Sequence, residues 1–209
     1  MVDDNYMRIL LNYSFFCYFC IPYLTDMHPL EKFRYCPCCG TADFQVATEK
    51  SKRCRNCGLE LFMNPSAAVA AFITNDKGEL LVCRRAKEPA KGTLDLPGGF
   101  CDIGETVEEA VRREVREETN ITLTDAEYAF SLPNKYMYSG LAIPTLDFFF
   151  ECKVSSAPDV IHAADDASEL LWLSPQKIDP SLFGLDSIRR AVANWKEQQR
   201  NGDRNQIAN

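Results

Sequence analysis

The order of apolar and polar positions changes character three times along the chain. From about residue 28 to 62 polar positions dominate, and only residues 43–48 and 59–63 have strand character. Asn64-Pro65 marks a boundary, because the residue before a proline leaves the helical region. Residues 67–74 then read AAVAAFIT, an unbroken apolar run of strand length. Asn75-Asp76-Lys77-Gly78 is a turn into a return strand at 79–84. Residues 87–92 read as a loop, and 93–96 as a short strand entering a Pro97-Gly98-Gly99 turn. The period becomes helical over 105–119, where Val107, Ala110, Val111 and Val115 recur at three- and four-residue steps. Residues 124–132, 145–154 and 169–173 predict further strands, with Asp165 and Asp166 in a polar loop before the last of these that closes over a ligand. Ser174-Pro175 predicts the opening of a short helix, and 187–199 a final amphipathic one. Strands and helices interleave, with hairpins among the strands. The expected class is α+β, a mixed sheet covered by helices.

Length and charge narrow this picture. A chain of 209 residues suggests one ordinary domain and a small one. The expected division is an N-terminal extension at 1–27, a small domain at 28–63, the main domain at 64–199 and a polar, frayed tail at 200–209. Residues 9–24 are nearly all apolar and aromatic, yet too short and too polar, with Asn12 and Ser14, for a membrane span. Asp3 and Asp4 make a poor start for a signal peptide. We expect the natural start at Met27, no membrane partner, and a cytoplasmic protein. A net charge of −7 argues against nucleic-acid binding by the bulk surface. It does not argue against a phosphate substrate, since bound metal ions reverse the sign locally.

Cysteine usage adds a metal centre. Of ten cysteines, four stand as Cys36-x-x-Cys39 and Cys54-x-x-Cys57, each pair followed by a glycine able to take the positive φ of a tight knuckle. Two such pairs in a chain of this size favour a metal and a reducing compartment over a disulfide framework. The spacing suits a tetrahedral four-cysteine zinc ribbon, with Cys38 a bystander. With every position filled by sulfur the zinc would be structural. The loop Lys50-Ser51-Lys52-Arg53, with Arg55, is basic and reads either as a solvated rim or as a contact for a phosphate-rich ligand or RNA.

The acidic segment after Gly98-Gly99 poses a different question. On a helix from about 105, Glu114, Glu117 and Glu118 fall at i, i+3 and i+4, on one face. Like charges so placed repel, so either the helix is solvated and laced with salt bridges or the carboxylates converge on a cation. Hard oxygen ligands suit Mg²⁺ or Mn²⁺. Arg113 sits beside this face and can pair with Glu105 or another carboxylate.

The spacing of Gly99, Glu105, Arg113, Glu114, Val115, Glu117, Glu118 and Ile121 resembles the Nudix box, G-x5-E-x7-R-E-U-x-E-E-x-G-U, where U is a bulky aliphatic. Asn120 replaces the family's glycine, and Asn also tolerates the left-handed conformation that ends a helix. The resemblance implies a Nudix α/β/α sandwich with a mixed sheet over roughly 64–195, preceded by the ribbon. It implies hydrolysis of a nucleoside diphosphate linked to another group, with Mg²⁺ or Mn²⁺. Glu117 and Glu118 would then bind metal, Glu114 would bind metal or act as the base, and Gly98 would offer a carbonyl. Arg113 and Glu105 would orient loop and helix.

A ribbon directly before such a domain is similar to the NADH pyrophosphatase family. That family's S-Q-P-W-P-F-P-x-S corresponds here to Ser131-Leu132-Pro133-Asn134-Lys135-Tyr136-Met137-Tyr138-Ser139, with Gln, Trp and two Pro replaced. Tyr136 and Tyr138 remain suited to stacking on a base. Glu151 falls where the family places a further metal-binding carboxylate on a strand. Arg84, Arg85, Lys87 and Lys91 are candidates to hold a substrate phosphate, Arg84 foremost, and Glu169 is a further site candidate. The resemblance implies an NAD(H)- or ADP-ribose-type substrate, with capped RNA and a homodimer as further partners. The competing class is a non-catalytic module that senses a nucleotide and signals through its ribbon.

Overall fold

The computed structural model describes residues 28–154 and 167–207. The expectations for residues 1–27 and for Asp165 and Asp166 lie outside the described residues. The chain divides into two units, Met1–Met63 and Asn64–Asn209.

The first unit carries a three-stranded antiparallel sheet in the order β1 (Phe44–Thr48), β2 (Ser51–Cys54), β3 (Glu60–Phe62). Its central strand corrects the sequence reading, which took residues 50–53 for a basic loop. Ser51 and Lys52 are buried. The Lys52 ammonium donates to the Phe33 carbonyl at 2.9 Å, and Arg53 pairs with Glu60, which also accepts from the Ser51 hydroxyl. These positive charges are therefore engaged within the sheet. A strand reading Ser-Lys-Arg-Cys has no apolar alternation by which to recognise it. The buried apolar cluster here is small: Cys36, Phe44 and Cys54, edged by Phe33, Leu59 and Leu61.

The second unit is a layer of strands between two helices. A four-stranded sheet runs in the order β7 (Gly98–Phe100), β4 (Ser66–Ile73), β9 (Leu141–Val154), β8 (Leu123–Tyr138). The β4–β9 pairing is parallel and its neighbours are antiparallel, so the sheet is mixed. A second sheet, in the order β10 (Ala167–Leu173), β5 (Leu80–Arg85), β6 (Leu94–Asp95), meets the first at a Thr74–Leu80 bridge. β4 is buried on both faces, which is why it reads as continuous apolar sequence. Val69, Ala71 and Ile73 join the cluster under helix α1 (Val107–Thr119). Ala70 and Phe72 join the opposite cluster with Ile188, Val192 and Trp195 of helix α2 (Asp186–Ile207).

α1 starts and stops where its residues dictate. Thr106 accepts from the Glu109 backbone while the Glu109 side chain accepts from the Thr106 backbone, a complete capping box. Ala110, Val111 and Val115 are buried against the sheet. Asn120 closes the helix at φ 58°, left-handed, so the substitution for glycine keeps the cap.

Four other expectations change. Gly98 and Gly99 belong to strand β7 rather than to a turn. Residues 131–138 continue β8 into a long hairpin with β9; Pro133 is tolerated because β8 is an edge, and Pro144 lies one residue before the pairing with β4 begins at Thr145. Pro175 sits in a turn closed from Lys177 to Ser174, and the helical piece comes later, a single 3-10 turn at Pro180–Leu182 capped by Asp179. α2 runs to Ile207, through the segment expected to fray.

Candidate active site

The crowded carboxylates of α1 have a positive partner on their own helix. Arg113 holds Glu105 with two parallel hydrogen bonds of 2.9 Å, and donates to Glu114 at 2.9 Å and Glu117 at 3.1 Å. It also donates to the Phe100 carbonyl at 3.0 Å, tying the loop before α1 and strand β7 to the helix. These bonds hold Glu105 below the usual carboxylate range. Glu114 moves the other way. Burial pushes it up, against the pull of Arg113.

β7 lets the helix carboxylates reach past the sheet edge. Gly99 has no side chain on the α1 side, and a Cβ there would lie 2.6 Å from the Glu114 carboxylate. Gly98 is as tightly placed on β4: an added Cβ would meet the Val69 carbonyl oxygen at 2.1 Å. The sequence reading gave Gly98 a carbonyl ligand. In the structure its N–H donates to Glu118 Oε2 at 3.0 Å, and Glu118 is almost fully buried.

Glu114, Glu117 and Glu118 line one side of a cavity of about 520 Å³. The far wall is one face of the β8–β9 hairpin together with the end of β5. Along that face the pairs run Phe130–Phe149, Leu132–Asp147 and Asn134–Thr145, then Tyr136 and Tyr138, passing from core to cavity mouth. Tyr136 meets Phe100 edge to face at 5.3 Å, and its hydroxyl accepts from Arg85 at 3.3 Å. Tyr138 lies at the mouth, more than half exposed.

Two sequence-predicted residues stand elsewhere. Arg84 pairs with Glu169 directly across β5–β10 and donates to the Gly92 carbonyl. Successive strand residues face opposite ways, so Arg85 is the arginine that lines the cavity. Burial works against its charge, and Asp95, in a buried ion pair at 2.5 Å, more than restores it. Glu151 is exposed and lines a separate groove of about 170 Å³ with Asp125, Glu127 and Trp195. It shares a face with Asp147 but lies four residues further, roughly 13 Å along the strand. The carboxylate that β9 sends to the cavity is Asp147.

Sequence reasoning missed Asp95, Asn134, Thr145 and Asp147, all lining the cavity. One signal was present for Asp147: a lone carboxylate in the apolar run TLDFFF must find partners when the strand is buried. Asn134 gave none.

The donor set on α1 fits a hard divalent cation in kind, with three carboxylates on one cavity wall, one almost buried and one carrying a pKa that burial has raised. Arg113 engages Glu114 and Glu117, and these oxygens do not draw together as closely as the cysteines do. Among the described residues Cys36, Cys39, Cys54 and Cys57 form the one group whose ligand atoms all lie within 4.8 Å of one another. The Cys36–Cys57 and Cys39–Cys54 sulfur separations are both 3.6 Å. A tetrahedron with Zn–S near 2.3 Å requires about 3.8 Å, so the four sulfurs fit zinc. Gly40 and Gly58, at φ 72° and 79°, donate back to Cys36 and Cys54 to close the knuckles. A backbone hydrogen bond at Thr41 and the Asn56 amide lower the Cys39 thiol to about 6, while burial and the neighbouring thiols push Cys57 up to about 12, so the metal-free cluster gives up one proton readily and holds another.

Comparison with known proteins agrees with this geometry. A model of the NUDIX domain matches residues 64–195. An ADP-ribose pyrophosphatase of Methanocaldococcus jannaschii is 48% identical over 138 residues, 65% of this chain and 78% of that protein. A protein named NAD-capped RNA hydrolase NudC, from Deinococcus radiodurans, is 26% identical over 144 residues, 68% of this chain and 49% of its own length. The chain thus spans about half the length of that relative. A NUDIX hydrolase structure from Nitrosomonas europaea shares the fold at TM-score 0.64 and 21% identity, covering 81% of this chain and 93% of its own. Matched over more than half its length, the chain belongs to the NUDIX domain family.

Proposed function

We propose that the protein is a metal-dependent pyrophosphohydrolase that cleaves the diphosphate of a nucleoside diphosphate derivative, a dinucleotide or nucleotide sugar of the NAD(H) or ADP-ribose type. The observation that carries this reading is the cavity itself, with Glu114, Glu117 and Glu118 on one wall and Arg85 and Tyr136 on the other. Relatives named ADP-ribose pyrophosphatase and NAD-capped RNA hydrolase support a nucleotide derivative as substrate. The ADP-ribose type is favoured by the 48% identity to the former.

Glu117 and Glu118 would hold Mg²⁺ or Mn²⁺, which when bound neutralises the diphosphate and acidifies the attacking water. Glu114 would either join them as a ligand or take the proton of that water, and the close approach of Gly99 fixes where its carboxylate stands. Arg113 and Glu105 position it. Arg85, kept charged by Asp95, faces the substrate as the fixed positive group of the far wall. Tyr136 offers an aromatic face to a base.

Steady-state hydrolysis of ADP-ribose, NADH, NAD, diadenosine polyphosphates, nucleotide sugars, nucleoside triphosphates and NAD-capped RNA, each with Mg²⁺ and Mn²⁺, tests the reading. Glu117→Gln should lower kcat by about 100-fold or more while the far-UV spectrum and unfolding midpoint hold. Turnover unchanged in that variant refutes the site. Nucleotide binding with no hydrolysis of any compound favours the sensing module, and a preference for triphosphates removes the dinucleotide reading.

A further inference from the structure

The far wall of the cavity carries a polar network that hydrolysis does not need. Asp147 is 6% exposed. Its Oδ1 accepts from the Thr145 hydroxyl at 2.6 Å, and its Oδ2 from Asn134 Nδ2 at 3.2 Å and the Ser187 hydroxyl, at the start of α2, at 2.5 Å. Desolvating a carboxylate is costly, and three hydrogen bonds from three separate segments compensate it. The neighbouring face is well-packed aromatic core, Phe130 on Phe149 at 5.0 Å, so an apolar residue at 147 would continue it.

The consequence of Asp147 falls on Asn134. A carboxylate only accepts, so the hydrogen bond between them fixes which end of the Asn134 amide is nitrogen. This is the one side-chain hydrogen bond of Asn134 among the described residues. The amide, half-buried and lining the cavity, keeps its Oδ1 acceptor and a second N–H donor for a ligand, with their order set. Tyr136 follows two residues on along the same face, its ring braced by Phe100 and its hydroxyl by Arg85.

We propose that Asn134, oriented by Asp147, reads the amino edge of an adenine lying against Tyr136, so that this wall selects adenine nucleotides over their 6-oxo counterparts. An amide with both a donor and an acceptor pairs with the N6 amine and N7 of adenine, whereas hypoxanthine and guanine present two acceptors on that edge. Asp147 is a positioning residue here, acting through Asn134. The inference rests on the proposed function only in taking the cavity as a nucleotide site.

Calorimetric binding of AMP and IMP to the full chain, without divalent cation, tests it apart from turnover. The wild type should bind AMP roughly tenfold tighter than IMP. Asn134→Ala should bring the ratio near one, chiefly by weakening AMP. Asp147→Asn, which keeps shape but lets the Asn134 amide turn, should also reduce the ratio. Equal affinity of the wild type for AMP and IMP, or an unchanged preference in Asn134→Ala, overturns the proposal. If Asn134→Ala does not fold, Asn134→Ser and the wild-type ratio decide it in the same way. A protein that hydrolyses diphosphates yet does not distinguish AMP from IMP refutes this inference alone. Adenine selectivity without hydrolysis refutes only the enzymatic reading.

Discussion

Arg113 is the residue through which the acidic segment becomes stable. Its guanidinium meets Glu105, Glu114 and Glu117 within 3.1 Å and Asp102 at 3.8 Å, so charges that would repel along a helix share one cation. The same arginine leaves two carboxylates with opposite tendencies, Glu105 lowered by its hydrogen bonds and Glu114 raised by burial. The sign for Glu105 follows from linkage. A carboxylate whose pKa is lower folded than unfolded lends stability that is fully present above its unfolded value and lost as the pH falls through the folded one. Carbon-13 titration of Glu105 should therefore give a midpoint below the ordinary carboxylate range, returning to that range in Arg113→Met. The stability difference between wild type and Arg113→Met, measured by urea unfolding, should shrink as the pH is lowered through the Glu105 midpoint. A wild-type Glu105 that titrates in the ordinary range contradicts the paired geometry.

At the scale of elements, β7 and α1 form one device. β7 carries Gly99 where α1 lays Glu114, and no larger residue leaves room for that carboxylate. Gly99→Ala should push Glu114 off its position and lower kcat by about 100-fold, as a shift of the order of 1 Å does in a positioned site, with β7 still paired to β4. Retained activity in that variant would show that the Glu114 position is not needed. α1 was legible in the sequence because its signals are local, a 3.6-residue period and an asparagine fit for a left-handed cap, whereas β7 was read as a turn. The opposite wall was not legible. Its partners are Asn134, Thr145, Asp147 and Ser187, set together only when β8 pairs with β9 and α2 packs across both. Residues 131–138 read SLPNKYMY, without clean alternation, so neither the strand nor its inward face could be read. Arg84 and Arg85 show the finer limit. The strand was evident, but which arginine faced the cavity depended on register, where a single step exchanges the faces. For Glu151 the face could be read from the period, and its distance along β9 could not.

For the whole molecule, the two units draw on different sources of stability. Residues 64–207 enclose two clusters of buried apolar side chains, one on each side of the strand layer. Among the described residues of the first unit the buried apolar side chains are Leu30, Cys36, Phe44 and Cys54, and two of these four are thiols of the four-cysteine cluster. So little apolar area cannot offset the conformational entropy of ordering three strands and two knuckles. We propose that zinc supplies the difference, with a binding free energy on the order of 10 kcal/mol or more. The purified chain should then contain one equivalent of zinc. Removing it with a strong chelator should abolish amide-exchange protection over residues 36–62, while amides of β4, β9 and α1 keep theirs. Cys54→Ser should give the same pattern without chelator, since that thiol is buried and would be a ligand of the zinc. Protection of β1–β3 that survives loss of the metal would mean that the Lys52–Phe33 and Arg53–Glu60 contacts hold the sheet by themselves. The ion pair is poorly placed to do so: Arg53 is 64% exposed, and a pair so open to solvent contributes little.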